Sequence, residues 1–158
     1  MSKIKTVGIV GTGVIGTGWI IRNLAHNKIV HAYDQNKNLK SYVLKEIKRT
    51  SKSIKKLFGK KILIKNLKFF NSLEKALVNV DFVQESVLEN YKVKTDLIHK
   101  ISKYVKSDII ISSSSSGLLP SKIFSKSENP QRGIIGHPFN PAYLLPAVEI
   151  VPGKKTTK

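Results

Sequence analysis

Apolar residues along this chain come in short blocks, and the spacing inside the blocks switches between two periods. Ile4 to Val10 is an apolar run, broken by Lys5 and Thr6, that reads as a strand, and Val14 to Asn27 repeats at helical spacing. Ile29 to Tyr33 is a second short strand. From Lys37 to about Phe58, Leu39, Tyr42, Val43, Ile47, Ile54 and Leu57 recur as one face of a helix, which would break, if anywhere, at Thr50 to Ser53. Gly59 and the polar residues around Asn66 mark turns before a strand at Lys68 to Phe70. Ser72 is placed to cap a short helix carrying Leu73, Ala76 and Leu77. Asp81 to Gln84 is the next strand, and Tyr91 to Val105 the next helix, with Val93, Leu97, Ile98 and Ile101 as its buried stripe. Asp108 to Ser112 follows as a strand whose Ile109, Ile110 and Ile111 suit a sheet covered on both faces. A short helix begins near Pro120, and Arg132 to Gly136 and Val148 to Val151 complete the strands. Alternation of this kind implies an α/β fold, a parallel sheet doubly wound by helices, in one domain over residues 1–158.

The break between the first strand and first helix carries the sharpest signal. It reads Gly11-Thr12-Gly13-Val14-Ile15-Gly16, and Asp34 closes the second strand eighteen residues beyond Gly16. In a Rossmann-type turn Gly11 permits the tight bend, Gly13 lets phosphates approach the backbone, and Gly16 lets the helix pack on the strand. The N–H groups of Val14, Ile15 and their neighbours at the helix start face a pyrophosphate. Asp34 can accept from both ribose hydroxyls of an adenosine and would repel a 2′-phosphate, so NAD is expected over NADP.

Composition changes this picture little. A length of 158 residues suits one domain with a real core. With no cysteine there is no disulfide, thiolate nucleophile or thiolate metal site, and no metal is expected. No stretch has the length of a membrane span, the N-terminus makes a poor signal peptide, and a soluble cytoplasmic protein is the default. The net charge of +18 is more arresting. Only three of the basic residues are arginine (Arg22, Arg49, Arg132), and twelve lie between Lys37 and Lys68, where Glu46 is the single acid. A lysine-rich solvated helix face accounts for this; a surface that attracts an anionic ligand or partner is the sharper alternative. No recognition module or interleaved aromatic residues support nucleic-acid binding, so no nucleic-acid partner is expected.

Ligands on such sheets collect beyond the carboxyl ends of the strands. The glycine turn, Asp34, Gln84, Glu85, the serine run Ser112 to Ser116, and His137 all fall there. His137 stands at a strand tip before Pro138, and Glu149 lies twelve residues on, near the next strand. Pairing them would raise the imidazole's basicity and fix its tautomer, so that it could take a proton from a hydroxyl as hydride leaves the same carbon. Ser116 would hold the substrate oxygen. A histidine with no role is the other reading of the spacing alone. His26, His31 and His99 lie in helix or strand contexts without chemistry.

Taken together, Gly8 to Gly16, Asp81 to Val87, Ser112 to Gly117, Gly136-His137-Pro138-Phe139-Asn140-Pro141 and Leu144 to Val151 resemble the NAD-binding domain of the 3-hydroxyacyl-CoA dehydrogenase superfamily. The resemblance covers nearly the whole chain in order. It implies His137 as general base, Glu149 as its partner, and Ser116 as a contact of substrate and nicotinamide. It further implies that Asn140 lines the nicotinamide and that Glu85 and Asn90 lie beside the cofactor. Trp19, Gln84-Glu85-Ser86 and Tyr143-Leu144-Leu145-Pro146 look closer to the branch containing L-carnitine and L-gulonate 3-dehydrogenases, and the stretch from Asp34 to Glu85 looks short beside acyl-CoA enzymes.

The resemblance also implies a second, all-helical domain that supplies a catalytic asparagine, much of the substrate pocket and a dimer surface. No residue of this sequence matches it, so a helical domain or partner chain is expected to complete the site. The expected activity is oxidation of a 3-hydroxy group on a 3-hydroxyacyl-CoA, L-carnitine or a related acid. The alternatives are an NAD-binding module without catalysis and, less favoured, a basic protein that binds nucleic acid.

Overall fold

The computed structural model describes residues 4–157. Seven strands, β1 (Thr6–Val10), β2 (Ile29–Tyr33), β3 (Leu67–Phe70), β4 (Phe82–Glu85), β5 (Ile110–Ser113), β6 (Gly133–Pro138) and β7 (Val148–Pro152), form one sheet. Its order is β3-β2-β1-β4-β5-β6-β7, so the chain works outward from β1 in one direction, then crosses back to build the other half. Five helices accompany it: α1 (Val14–Ala25), α2 (Leu39–Phe58), α3 (Leu73–Leu77), α4 (Tyr91–Tyr104) and α5 (Pro120–Ile123).

Side-chain alternation along β1 divides the interior in two. Val7 and Ile9 join Ile20, Ile21 and Leu24 of α1 and Val43, Ile47 and Ile54 of α2 on one face. Val10 points to the other face, with Leu77, Ile98, Ile101 and Ile123 from α3, α4 and α5. A strand covered on both sides must be apolar at successive positions, which is why Val7 to Val10 carries no polar residue.

Three expectations need correction. The sheet is parallel only as far as β6: β7 runs antiparallel to it, with His137 opposite Glu149. A connection of nine residues returns as a hairpin, because a parallel crossover needs a dozen or more. Helix α2 is unbroken through Thr50 to Ser53. Thr50 Oγ1 donates to Glu46 O at 2.8 Å and Ser51 Oγ donates to Ile47 O, so both hydroxyls bond back along the helix instead of competing with it. In α4 the buried face is Lys94, Thr95, Ile98, Ile101 and Ser102, whereas Val93 is 42% exposed.

The lysines of the basic segment do lie on a solvated face. Lys40, Lys45, Lys48, Lys52, Lys55 and Lys56 are exposed along α2, and Arg49 pairs with Glu46 on the same helix. No helix among the described residues is long and apolar enough to cross a membrane.

Candidate functional site

The parallel strands end on one edge, and the strand order reverses there between β1 and β4. At that point the glycine turn closes. Gly11 has φ +89°, and a Cβ there would sit 2.7 Å from the backbone of Ser86. A Cβ on Gly16 would lie 1.8 Å from Gly11 O, so helix and turn touch backbone to backbone. Gly13 is different in kind: nothing lies within 4 Å of where its Cβ would be. Its backbone faces open space at the start of α1, which has no side-chain cap and no acidic residue in its first turn. The unpaired N–H groups of Val14, Ile15 and Gly16 are thus left for an anion.

Thr12 and Asp34 lock this turn to β2. Thr12 N donates to Asp34 Oδ2 at 2.6 Å, Thr12 Oγ1 donates to the same oxygen at 3.2 Å, and Asn36 N donates to Oδ1 at 2.9 Å. The carboxylate therefore has a set direction and lone pairs still open toward the cleft it lines. That cleft, about 980 Å³, runs from Gly11, Gly13, Tyr33 and Asp34 past Val87 and Leu88 toward α4. One wall offers backbone N–H groups without partners and another a carboxylate, the groups that a pyrophosphate and ribose hydroxyls would need, so the residues fit a dinucleotide.

The opposite wall is the loop after β4, and a buried ion pair holds it. Lys94 Nζ donates to Glu85 Oε1 at 2.8 Å, Glu85 Oε2 at 3.1 Å and Val87 O at 3.1 Å. Glu85 also accepts from Val87 N and Ser113 Oγ. The Glu85 carboxylate is fully buried, bonded to α4, β5 and its own loop. Asn90 is exposed, and its Oδ1 accepts from Val93 N at 3.1 Å and caps α4.

Glu89, in the same loop, accepts from Ser115 Oγ, from Ser116 N at 2.9 Å and from Gly117 N at 3.1 Å. Burial pushes its carboxyl up, but those donors and the Lys94 charge outweigh it and leave the pKa below the usual glutamate value. The carboxylate so fixes the turn that presents Ser116.

Beside the cleft a smaller cavity, about 270 Å³, is lined by Ile15, Ser86, Glu89, Ser114, Ser116 and His137 among others. Ser116 and His137, distant in sequence, meet here. His137 Nδ1 lies 3.0 Å from Glu149 Oε2, and the two are direct cross-strand partners on β6 and β7. The ring is 30% exposed and the carboxylate side chain 60% exposed. Asn140 is exposed past the end of β6 and does not line this cavity. Among the described residues no cluster of three metal-ligating side chains occurs.

The sequence reading missed Lys94, Glu89 and the bond from Thr12 to Asp34. Lys94 left a signal: it stands four residues before Ile98, on the apolar side of α4, where a lysine needs a buried acid. Glu89 left none, since the turn it caps is assembled across two strands.

The chain matches the model of the 3-hydroxyacyl-CoA dehydrogenase NAD-binding domain over residues 6–158. It is 42% identical to an L-carnitine dehydrogenase of Pseudomonas putida, over 99% of this chain and 49% of that protein. It is 41% identical to another of Oceanobacillus iheyensis, over 98% of this chain and 51% of that one. The chain spans about half the length of these curated relatives. The crystal structure of the dehydrogenase part of multifunctional enzyme 1 from C. elegans superposes with a TM-score of 0.86 at 30% identity, over 98% of this chain and 36% of that one.

Proposed function

Because this chain belongs to the 3-hydroxyacyl-CoA dehydrogenase NAD-binding domain family, we propose that it is the NAD-binding part of a dehydrogenase that oxidises the hydroxyl group of a 3-hydroxy acid. The observation that carries this reading is the His137–Glu149 pair, whose ring lines one cavity with Ser116 beside the dinucleotide cleft.

The work divides among the chain's own residues. Val14, Ile15 and Gly16 offer backbone donors to the pyrophosphate, Gly11 and Gly13 give it room, Thr12 orients Asp34, and Asp34 accepts from the adenosine ribose. Glu149 accepts from Nδ1–H of His137, which fixes the tautomer with Nε2 unprotonated. Nε2 then takes the substrate hydroxyl's proton, while the bond to Glu149 holds the ring in place. Ser116, held by the turn that Glu89 caps, directs the substrate oxygen toward that nitrogen. Asn140, exposed past the end of β6, is the residue that the family resemblance assigns to the nicotinamide side. When bound, NAD supplies the hydride acceptor.

L-carnitine is the substrate favoured by the relatives at about 40% identity, and a 3-hydroxyacyl-CoA is the second choice. The chain spans about half the length of those relatives; the helical region that the family resemblance implies would close the pocket and make the dimer surface. The corresponding second reading is a domain that binds NAD yet turns over nothing until that region is supplied.

The test pairs calorimetric titration of NADH with an assay of NADH formation on L-carnitine and on 3-hydroxybutyryl-CoA. The assay is run with and without the remaining half of a relative. NADH binding is expected from the chain alone. Turnover is expected with the added half, and His137→Ala should lower it by about a hundredfold to ten-thousandfold while leaving NADH affinity nearly unchanged. Full turnover by His137→Ala would remove the imidazole from the mechanism.

A further inference from the structure

In the wall of the smaller cavity three side chains meet at one hydroxyl, that of Ser114. Trp19 Nε1 reaches Ser114 Oγ at 3.2 Å, Gln84 Nε2 reaches it at 2.8 Å, and Ser86 Oγ lies 2.8 Å from it. The direction of each bond can be worked out. An indole N–H only donates. The Gln84 amide nitrogen also lies 3.2 Å from Gly136 O, and a carbonyl only accepts, so the amide is turned with its NH₂ toward both. Ser114 Oγ has two lone pairs and one proton. Two N–H donors occupy the lone pairs, so its proton goes to Ser86 Oγ.

Ser86 therefore accepts from Ser114 and retains its own proton. Among the described residues no acceptor takes that proton. Ser86 lines both the dinucleotide cleft and the smaller reaction cavity, at the place where they meet. It sits directly beneath the glycine turn, where a Cβ on Gly16 would come within 3.5 Å of Ser86 Cβ. The adenosine end of the cleft lies on one side of Ser86 and His137 on the other. A dinucleotide joining the two must pass its nicotinamide half over this hydroxyl.

We propose that Ser86 is a cofactor-binding residue whose hydroxyl donates a hydrogen bond to an oxygen of the nicotinamide half of NAD. Ser114, Gln84 and Trp19 are positioning residues that dictate the direction of that donation. Gln84 adds a second tie, since its bond to Gly136 O fixes the strand one residue before His137. The assignment rests on the reading that the chain binds NAD.

Calorimetric titration with NADH and with ADP separates the possibilities, because ADP carries the adenosine and both phosphates but no nicotinamide half. Ser86→Ala should weaken NADH by about fivefold, the worth of one neutral hydrogen bond, and ADP by less than about twofold. Trp19→Phe leaves the Ser86 hydroxyl in place but frees a lone pair on Ser114, so Ser86 can turn its proton there; a loss confined to NADH is expected again. A serine that served only packing would not yield to Trp19→Phe in this selective way. Equal weakening of NADH and ADP, or no weakening of NADH, by Ser86→Ala overturns the assignment while the NAD reading stands. Failure of the unsubstituted protein to bind either nucleotide ends both.

Discussion

Lys94 Nζ lies 2.8 Å from Glu85 Oε1, and the two side chains are 1% and 0% exposed. The pair spans from α4 to the end of β4 and clamps the loop between them, which forms a wall of the dinucleotide cleft. Burying two charges is unfavourable, but removing one partner is worse, because the other stays behind unpaired. Lys94→Met should thus destabilise the protein by about 3–5 kcal/mol. The double variant Glu85→Gln/Lys94→Met should recover much of that loss. Urea unfolding of the three proteins tests this; a single-variant loss below about 1 kcal/mol would contradict the clamp.

Gly13 and Gly16 should part company when each becomes alanine. At Gly16 the new methyl would fall 1.8 Å from Gly11 O, so the turn must open, and both thermal stability and NADH binding should fall. At Gly13 it enters empty space, and folding should lose no more than about 1 kcal/mol, the difference between these residues at a helix start. NADH affinity should nevertheless drop by at least about tenfold, because that space is where phosphates approach the backbone. Calorimetry on Gly13→Ala decides the point: unchanged affinity would move the phosphate site elsewhere.

Asp34 holds Thr12, and under the proposed function it also repels a 2′-phosphate. Asp34→Asn keeps an oxygen for Thr12 N but drops the charge. The ratio of NADPH to NADH dissociation constants should shrink by about tenfold or more, on the scale of one charge–charge contact near a surface. Competition titrations report that ratio directly, and an unaltered one would free Asp34 from the selectivity role.

Glu89 makes the Ser115 to Gly117 turn sensitive to acid. Its carboxyl titrates below the ordinary glutamate value, so the folded protein holds this proton less tightly than the unfolded chain. The stabilisation is complete above the unfolded pKa and disappears as pH falls through the lowered folded one. Amide resonances of Ser116 and Gly117 should shift with a midpoint on the acid side of a free glutamate, and Glu89→Gln should abolish that titration. A midpoint at or above the free value would mean that burial wins over the donors.

How much of this was readable beforehand follows from the range of each interaction. The glycine turn, Asp34 and the helices are written in local spacing, and their boundaries came within about two residues of those observed. His137 and Glu149 could be singled out because the motifs around them resemble a family that pairs these residues; a strand tip and a spacing of twelve residues alone left a histidine without a role open. The direction of β7 was not legible, since a short apolar run looks the same whichever way it pairs. Thr50 and Ser51 misled because hydroxyl residues favour helix ends unless they bond back to the preceding turn. The contacts of Glu89 with Ser115 to Gly117 join residues more than twenty-five positions apart, and no local pattern encodes them. The bond from Lys94 to Glu85 was not legible either, because nothing in a strand-end glutamate shows that a lysine nine residues on folds back onto it.

The reversal of β7 has a consequence for how this protein can change over time. The imidazole and its carboxylate face each other because two adjacent strands are in step, and strands present alternate residues to opposite sides. Inserting or deleting a single residue inside β7 ahead of Glu149 would turn that carboxylate to the far side of the sheet. The stretch from Phe139 to Ala147 is pinned at its mouth by Phe139 N donating to Ala147 O and docked on the core through half-buried Tyr143 and Leu144 beside buried Ala142. Evolution can exchange its exposed side chains above the histidine, but the parity of the strand beside it must be kept.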